Sequence, residues 1–142
     1  MNLLLSRKIN SLEETKNFAA ELSGIFQRGE IIVINGDLGS GKTTLINYIC
    51  SFFKIDNVSS PSFSIVNEYY GDLKVYHFDF YRIKKIEELY DLGFEDYVND
   101  EEAIIFIEWG NLFPEIVPSA HLEINIKVLQ AETREFKVIR NQ

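Results

Sequence analysis

The chain has 142 residues, 46% of them hydrophobic and 25% charged, which suits one packed domain and excludes a disordered polymer. Fourteen basic residues against 22 acidic ones leave a net charge of -8, which disfavours strong direct binding to a nucleic acid but leaves contact through a basic partner open. The single cysteine, Cys50, can make no internal disulfide and is expected as a buried free thiol in an apolar run. In the opening "MNLLLSRKIN" the positive charges follow the short apolar run, the wrong order for a secretory signal, and no stretch is long enough to span a bilayer. A cytoplasmic protein with no membrane contact is the expectation.

The first predicted element is a helix in "SLEETKNFAAELSGIF". Ser11 and Glu14 form a capping box, and Leu12, Thr15, Phe18, Ala19, Leu22 and Ile25 follow helical spacing. "EIIVIN" is a continuous apolar run, as in a strand buried on both faces. A glycine-rich break follows, and then a helix over residues 42 to about 53. "SFSIVNEYYGDLKVYHFDF" alternates as two strands around a turn at Gly71 and Asp72. "KKIEELYDLGF" predicts a short helix ended by Gly93, and "EAIIFIE" a second buried strand. "HLEINIKVL" and "REFKVIR" predict closing strands around the loop "QAET". The sum is an α/β fold in one domain over residues 1–142, a mixed parallel and antiparallel sheet flanked by helices.

The break reads "GDLGSGKTT". Gly36, Gly41, Lys42 and Thr43 meet the spacing G-x-x-x-x-G-K-[ST] of a phosphate-binding loop. Glycines let backbone N–H groups approach phosphate oxygens, and the following helix points its positive dipole end at them. Lys42 supplies a mobile ammonium for the terminal phosphates, and the Thr43 hydroxyl is a hard oxygen ligand for Mg²⁺. The alternative is a glycine-rich turn with a chance lysine, but a strand before it and a helix after it give the order a nucleotide loop needs.

Such a site also needs a carboxylate near the metal, usually at the end of a buried strand. Asp79 ends "LKVYHFD" and Glu108 ends "AIIFIE". The second run is the more uniformly apolar, so its strand is expected at the sheet centre beside the loop. Glu108 is therefore assigned to the metal, through water, and Asp79 to orienting water or to the metal's outer sphere. Either acid could instead face solvent or pair with a base such as Arg82. "SSPSFSIVNEY" gathers hydroxyls at Ser59, Ser60, Ser62 and Ser64 around Pro61, as a plain loop or as one presenting hydroxyls to a γ-phosphate. Trp109 suits the core or the flank of a nucleotide. His77 and His121, each in a predicted strand, are read as structural.

Phosphate loops serve many chemistries. No Asn-Lys-x-Asp guanine reader is present and "FDFYR" lacks the Asp-x-x-Gly of a switch strand, so ATP is favoured over GTP. A small-molecule kinase is the alternative, although Arg7, Arg28, Arg82, Arg134 and Arg140 are scattered and form no basic lid. The small size and acidic surface favour a regulatory ATPase that changes shape for a partner.

Taken in order, "NGDLGSGKTTL", "SPSFSIVNEY", "YHFDFYRI", "LGFEDY" and "FIEW" resemble the bacterial TsaE family, formerly called YjeE, over nearly the whole chain. The resemblance implies a phosphate-loop fold and a role in making threonylcarbamoyladenosine, the modified base beside the anticodon of tRNAs. It implies slow, Mg²⁺-dependent ATP hydrolysis that resets a complex of TsaD and TsaB. By the same resemblance, Gly39, Ser40, Gly41, Lys42, Thr43 and Thr44 hold phosphates, Thr43 and Glu108 hold Mg²⁺, and Asp79 is tied to hydrolysis. Trp109 would lie near the nucleotide, Arg134 would approach it from the last loop, and the first helix would border the adenine. Ser62 falls where the family usually has Thr in a switch-like loop; the hydroxyl is kept and the methyl group is lost.

Overall fold

The computed structural model of the protein describes residues 2–56 and 65–142. Strand β1 covers Asn2–Ile9, helix α1 Leu12–Ser23, strand β2 Ile31–Asn35 and helix α2 Lys42–Ser51. Strands β3 (Val66–Tyr70) and β4 (Lys74–Asp79) form a hairpin, followed by helices α3 (Glu87–Leu92) and α4 (Phe94–Val98). Strands β5 (Ala103–Glu108), β6 (His121–Val128) and β7 (Arg134–Asn141) complete the chain. Among the described residues, the seven strands form one sheet in the order β1-β7-β6-β2-β5-β4-β3. Its centre, from β6 through β2 and β5 to β4, is parallel, and the pairs at either side are antiparallel. The expected mixed α/β sheet is thus found, with β5 directly beside β2, the strand that feeds the glycine-rich loop.

The predicted elements form for the reasons given, with two additions. The capping box of α1 is made: Ser11 Oγ accepts the Glu14 N–H at 3.1 Å, and Glu14 Oε2 accepts the Asn10 N–H at 3.2 Å. Strand β1 was not foreseen. All but one of its residues lie at least partly open to solvent, so its sequence carries no alternation; it exists because it pairs along β7, from Asn2 opposite Arg140 to Ile9 opposite Arg134. Gly93 does end α3, in the left-handed region at φ 86°, but the chain starts a second short helix at once, which buries Phe94.

The period of two along each central strand divides the interior into two cores. Ile32 and Ile34 of β2, Ile104 and Phe106 of β5 and Val75 of β4 face the helices α1 and α2, where they meet Phe18, Leu22, Leu45, Ile46 and Ile49. Ile31 and Val33, Ile105 and Ile107, Tyr76 and Phe78 face the opposite side and pack on Phe80, Leu89 and Phe94. "EIIVIN" and "AIIFIE" are apolar at successive positions because each serves both cores. Cys50 is fully buried in the first core, and burial pushes its thiol up to about 12. Among the described residues, no helix is long and apolar enough to cross a membrane.

Candidate nucleotide site

The same parity builds the site. Residues 75, 77 and 79 of β4 and residues 104, 106 and 108 of β5 alternate onto one face, the face on which Val75, Ile104 and Phe106 meet α2. Asp79 and Glu108 are register partners where the two parallel strands end. Helix α2 begins beside them, so the ends of β4 and β5 and the start of α2 converge.

The loop from β2 to α2 has the shape the spacing predicts. A side chain at Gly36 would collide with the Ser40 hydroxyl and crowd the Ile126 carbonyl, so close approach demands glycine there. Gly41, the residue before α2, sits at φ 108°, a conformation that favours glycine. Ser40 is buried, and among the described residues its Oγ has no hydrogen-bond partner. Arg134, on the first position of β7, donates from Nε to the Ser40 carbonyl at 2.9 Å and from Nη1 to the Ala131 carbonyl at 3.2 Å. The last loop and the glycine-rich loop are therefore tied together, although 94 residues apart in sequence.

Lys42 folds back over the loop. Its Nζ donates to the carbonyls of Gly36 at 2.6 Å and Asp37 at 3.0 Å and lies 4.5 Å from the centroid of the Trp109 ring. Burial pulls the ammonium below its ordinary pKa, opposed by the negative charges of Glu108, Asp79 and Asp37. Trp109 itself takes a left-handed backbone, φ 62° and ψ 32°, and its ring packs on Tyr81 with centroids 5.1 Å apart. For so bulky a residue this conformation costs about 1–3 kcal/mol and marks a place where the surroundings fix the backbone.

Thr43 Oγ1 donates to Glu108 Oε2 at 3.2 Å. Glu108 is buried, and the same Oε2 lies 2.6 Å from His77 Nε2. Asp79 Oδ1 accepts the Tyr81 N–H at 3.0 Å, which caps the turn after β4. Burial raises the Asp79 carboxyl above its ordinary pKa, and the Glu108 charge adds to this, against the Tyr81 hydrogen bond and the charges of His77 and Arg82.

Two cavities meet at the loop. One, of about 400 Å³, is lined by Lys42, Thr43, Asp79, Glu108 and Trp109, together with Leu38, Tyr81 and Arg82. The other, of about 510 Å³, lies between Ser11, Leu12 and Thr15 at the start of α1 and Arg134 and Phe136 of β7. Gly39, Gly41 and Thr44 border both. Among the residues read from the sequence, Gly39, Gly41, Lys42, Thr43, Thr44, Asp79, Glu108 and Trp109 gather on the first cavity, and Ser40 and Arg134 on the second. Gly36 lies under the loop, and Ser62 lies outside the described residues.

Three contributors were missed. Tyr81 and Arg82 reach the first cavity because they follow Asp79 at the end of β4. His77, a structural residue by its place in an apolar strand, is fully buried, but its side chain meets the Glu108 carboxylate. Its spacing of two before Asp79 was the signal, since it puts both on one face. His121, by contrast, lies away from both cavities, with Nδ1 on the Pro118 carbonyl at 2.8 Å.

A strand–loop–helix with these residues at its mouth has clear relatives. Residues 9–136 match the family model for threonylcarbamoyl adenosine biosynthesis protein TsaE. The chain belongs to the TsaE family. A relative from Rickettsia prowazekii, named tRNA threonylcarbamoyladenosine biosynthesis protein TsaE, is 39% identical over 129 residues, covering 89% of this chain and 88% of its own. The protein of the same name from Bacillus subtilis is 36% identical over 137 residues, covering 95% and 84%. Among solved structures, the crystal structure of Bacillus subtilis YdiB aligns with a TM-score of 0.78 and 27% identity, over all of this chain and 89% of that one. The match to the TsaE model starts at the last residue of β1 and ends within β7, so it includes both cavities.

Proposed function

We propose that this member of the TsaE family hydrolyses ATP with Mg²⁺ in the biosynthesis of threonylcarbamoyladenosine on tRNA, and that it acts on a complex of TsaB and TsaD. The observation that carries the reading is the convergence of Lys42, Thr43, Asp79 and Glu108 on one cavity at the mouth of a glycine-rich loop.

In this reading the triphosphate lies along residues 39–44, held by loop N–H groups and the start of α2. The adenosine takes the second cavity, between α1 and Arg134. Lys42 leaves the carbonyls of Gly36 and Asp37 for the terminal phosphates. The metal fits what is present: Thr43 Oγ1 and Glu108 Oε2 are hard oxygens that meet at the cavity, 3.2 Å apart, and would hold Mg²⁺. Among the described residues no group of three or more His, Cys, Asp or Glu could hold a metal, so phosphate oxygens and water would complete the shell. Bound Mg²⁺ would neutralise charge on the phosphate oxygens as the terminal bond breaks. Asp79 orients the attacking water and accepts its proton; its raised pKa suits that task, and its hydrogen bond from Tyr81 fixes its aim.

The net charge of -8 argues against tight direct binding of tRNA and for a protein partner that brings it. The test is ATP hydrolysis by the purified protein with Mg²⁺, alone and with the TsaB–TsaD pair, with Lys42→Ala as control. Slow turnover that changes when the pair is added, and disappears in the control, supports the proposal. Turnover indifferent to the pair, with phosphate appearing on a small acceptor, supports a small-molecule kinase instead.

A further inference from the structure

We propose that His77 is a positioning residue that presets the Glu108 carboxylate for the metal; this rests on the Mg²⁺–nucleotide reading of the site. His77 lies in β4 opposite Phe106 of β5, two residues before Asp79, and its side chain is fully buried. Its Nε2 is 2.6 Å from Glu108 Oε2, which also accepts from Thr43 Oγ1 at 3.2 Å. An ionised carboxylate can only accept, so the imidazole hydrogen on this contact belongs to Nε2. The other ring nitrogen, Nδ1, is buried and has no hydrogen-bond partner among the described residues. Among the described residues the imidazole's hydrogen-bonding partner is therefore Glu108, and its ring packs beside Tyr69 with centroids 6.4 Å apart.

A plain core position would favour an apolar side chain here, because the unpaired Nδ1 costs desolvation energy with no return. The contact repays that cost by supplying a donor to a carboxylate that is itself 3% exposed. Helix α2 holds Glu108 from the loop side through Thr43, and His77 holds it from the sheet side. Fixed between them, Glu108 keeps one rotamer. Partners of this kind behind a metal ligand typically change metal affinity about 10–100-fold.

The experiment follows nucleotide binding through the emission of Trp109, the sole tryptophan, at stepped Mg²⁺ concentrations. It compares the wild type with His77→Leu, His77→Asn and His77→Gln. The glutamine amide reaches the Nε2 position; the asparagine amide reaches only Nδ1. We expect His77→Leu and His77→Asn to raise the half-saturating Mg²⁺ concentration about tenfold or more. Nucleotide binding without Mg²⁺ should stay near wild type, and His77→Gln should recover most of the metal response. Equal Mg²⁺ responses in all four proteins would overturn the proposal and leave His77 a core residue, as would equal shifts in the asparagine and glutamine variants. If His77→Leu fails to fold, the asparagine–glutamine pair decides alone. A wild type that binds nucleotide with no Mg²⁺ dependence at all would instead sink the reading of the site itself.

Discussion

Asp79 and Glu108 stand side by side as register partners at the ends of two parallel strands, yet each carboxylate is held differently. Among the described residues, Glu108 lies in hydrogen-bond contact with the side chains of Thr43 and His77, whereas Asp79 accepts from the Tyr81 backbone and is raised by burial. Two neighbouring acids in distinct surroundings can take distinct roles.

The raised Asp79 pKa has a sign that can be checked. Proton acceptance needs the ionised form, so kcat/KM for ATP hydrolysis should rise with pH through an acid limb lying above the ordinary carboxyl value of 3.8. Asp79→Asn should remove that limb and cut turnover about 10²–10⁴-fold. Stability should move the other way. The folded protein holds this proton more tightly than the unfolded chain, so ionisation costs stability above the folded pKa and costs nothing below the unfolded one. Asp79→Asn is therefore expected to melt at or above the wild-type temperature at pH 7. A clear fall in melting temperature would show that the carboxylate serves the fold.

Lys42 and Trp109 make a built-in reporter. The ammonium sits over the only indole in the chain, and phosphates would draw it away. ATP titration should change Trp109 emission to saturation. Lys42→Ala should weaken binding about tenfold or more, the worth of a charge-assisted hydrogen bond, and should start from a different basal emission because the ring has lost its cation. Unchanged basal emission in that variant would refute the stacking.

Far from the site, Asp100 links β4 to the turn before β5. Its Oδ2 takes the Lys74 ammonium at 2.8 Å and the Tyr76 hydroxyl at 2.5 Å. The Lys74 and Tyr76 hydrogen bonds, with that from the Glu102 N–H, hold its carboxyl down at about 2, against an ordinary 3.8. The stabilisation is fully present above the unfolded value and is lost as pH falls from 3.8 toward 2. Asp100→Asn should lower the melting temperature at pH 7, and the difference from wild type should shrink in acid. A gap independent of pH would point to packing, not charge.

Cys50 offers a test of the first core. With its thiol fully buried and pushed up to about 12, it should resist a thiol reagent in the native state and react at once in denaturant. Prompt labelling of the native protein would mean that α2 opens far more easily than its packing implies.

Much of this was legible in the sequence because the relevant interactions are local. The capping box of α1, the uniform burial of β2 and β5, the glycine-rich loop and the two strand-end acids each follow from neighbours within a few residues. The alternation of the hairpin put Asp79, and the continuous apolar run "AIIFIE" put Glu108, at the ends of strands, where β4 and β5 do end. Where the reading failed, the cause was pairing across distance. Strand β1 has no pattern of its own and forms only against β7. The second helix after Gly93 depends on a pocket for Phe94 that other elements make, against Phe78 and Phe80.

The sequence by itself determined that a glycine-rich loop ending in Gly41 and Lys42 stands between a buried strand and a helix, because the close approach at Gly36 and the left-handed backbone at Gly41 demand glycine. Only the tertiary structure decided which groups share the loop's mouth. Strand order put β5 beside β2, register put Asp79 beside Glu108, and parity turned His77 onto the same face. Spacing along one chain constrains its own strand; which strand lies next to which is settled only when the whole sheet closes its hydrogen bonds and buries both faces at once.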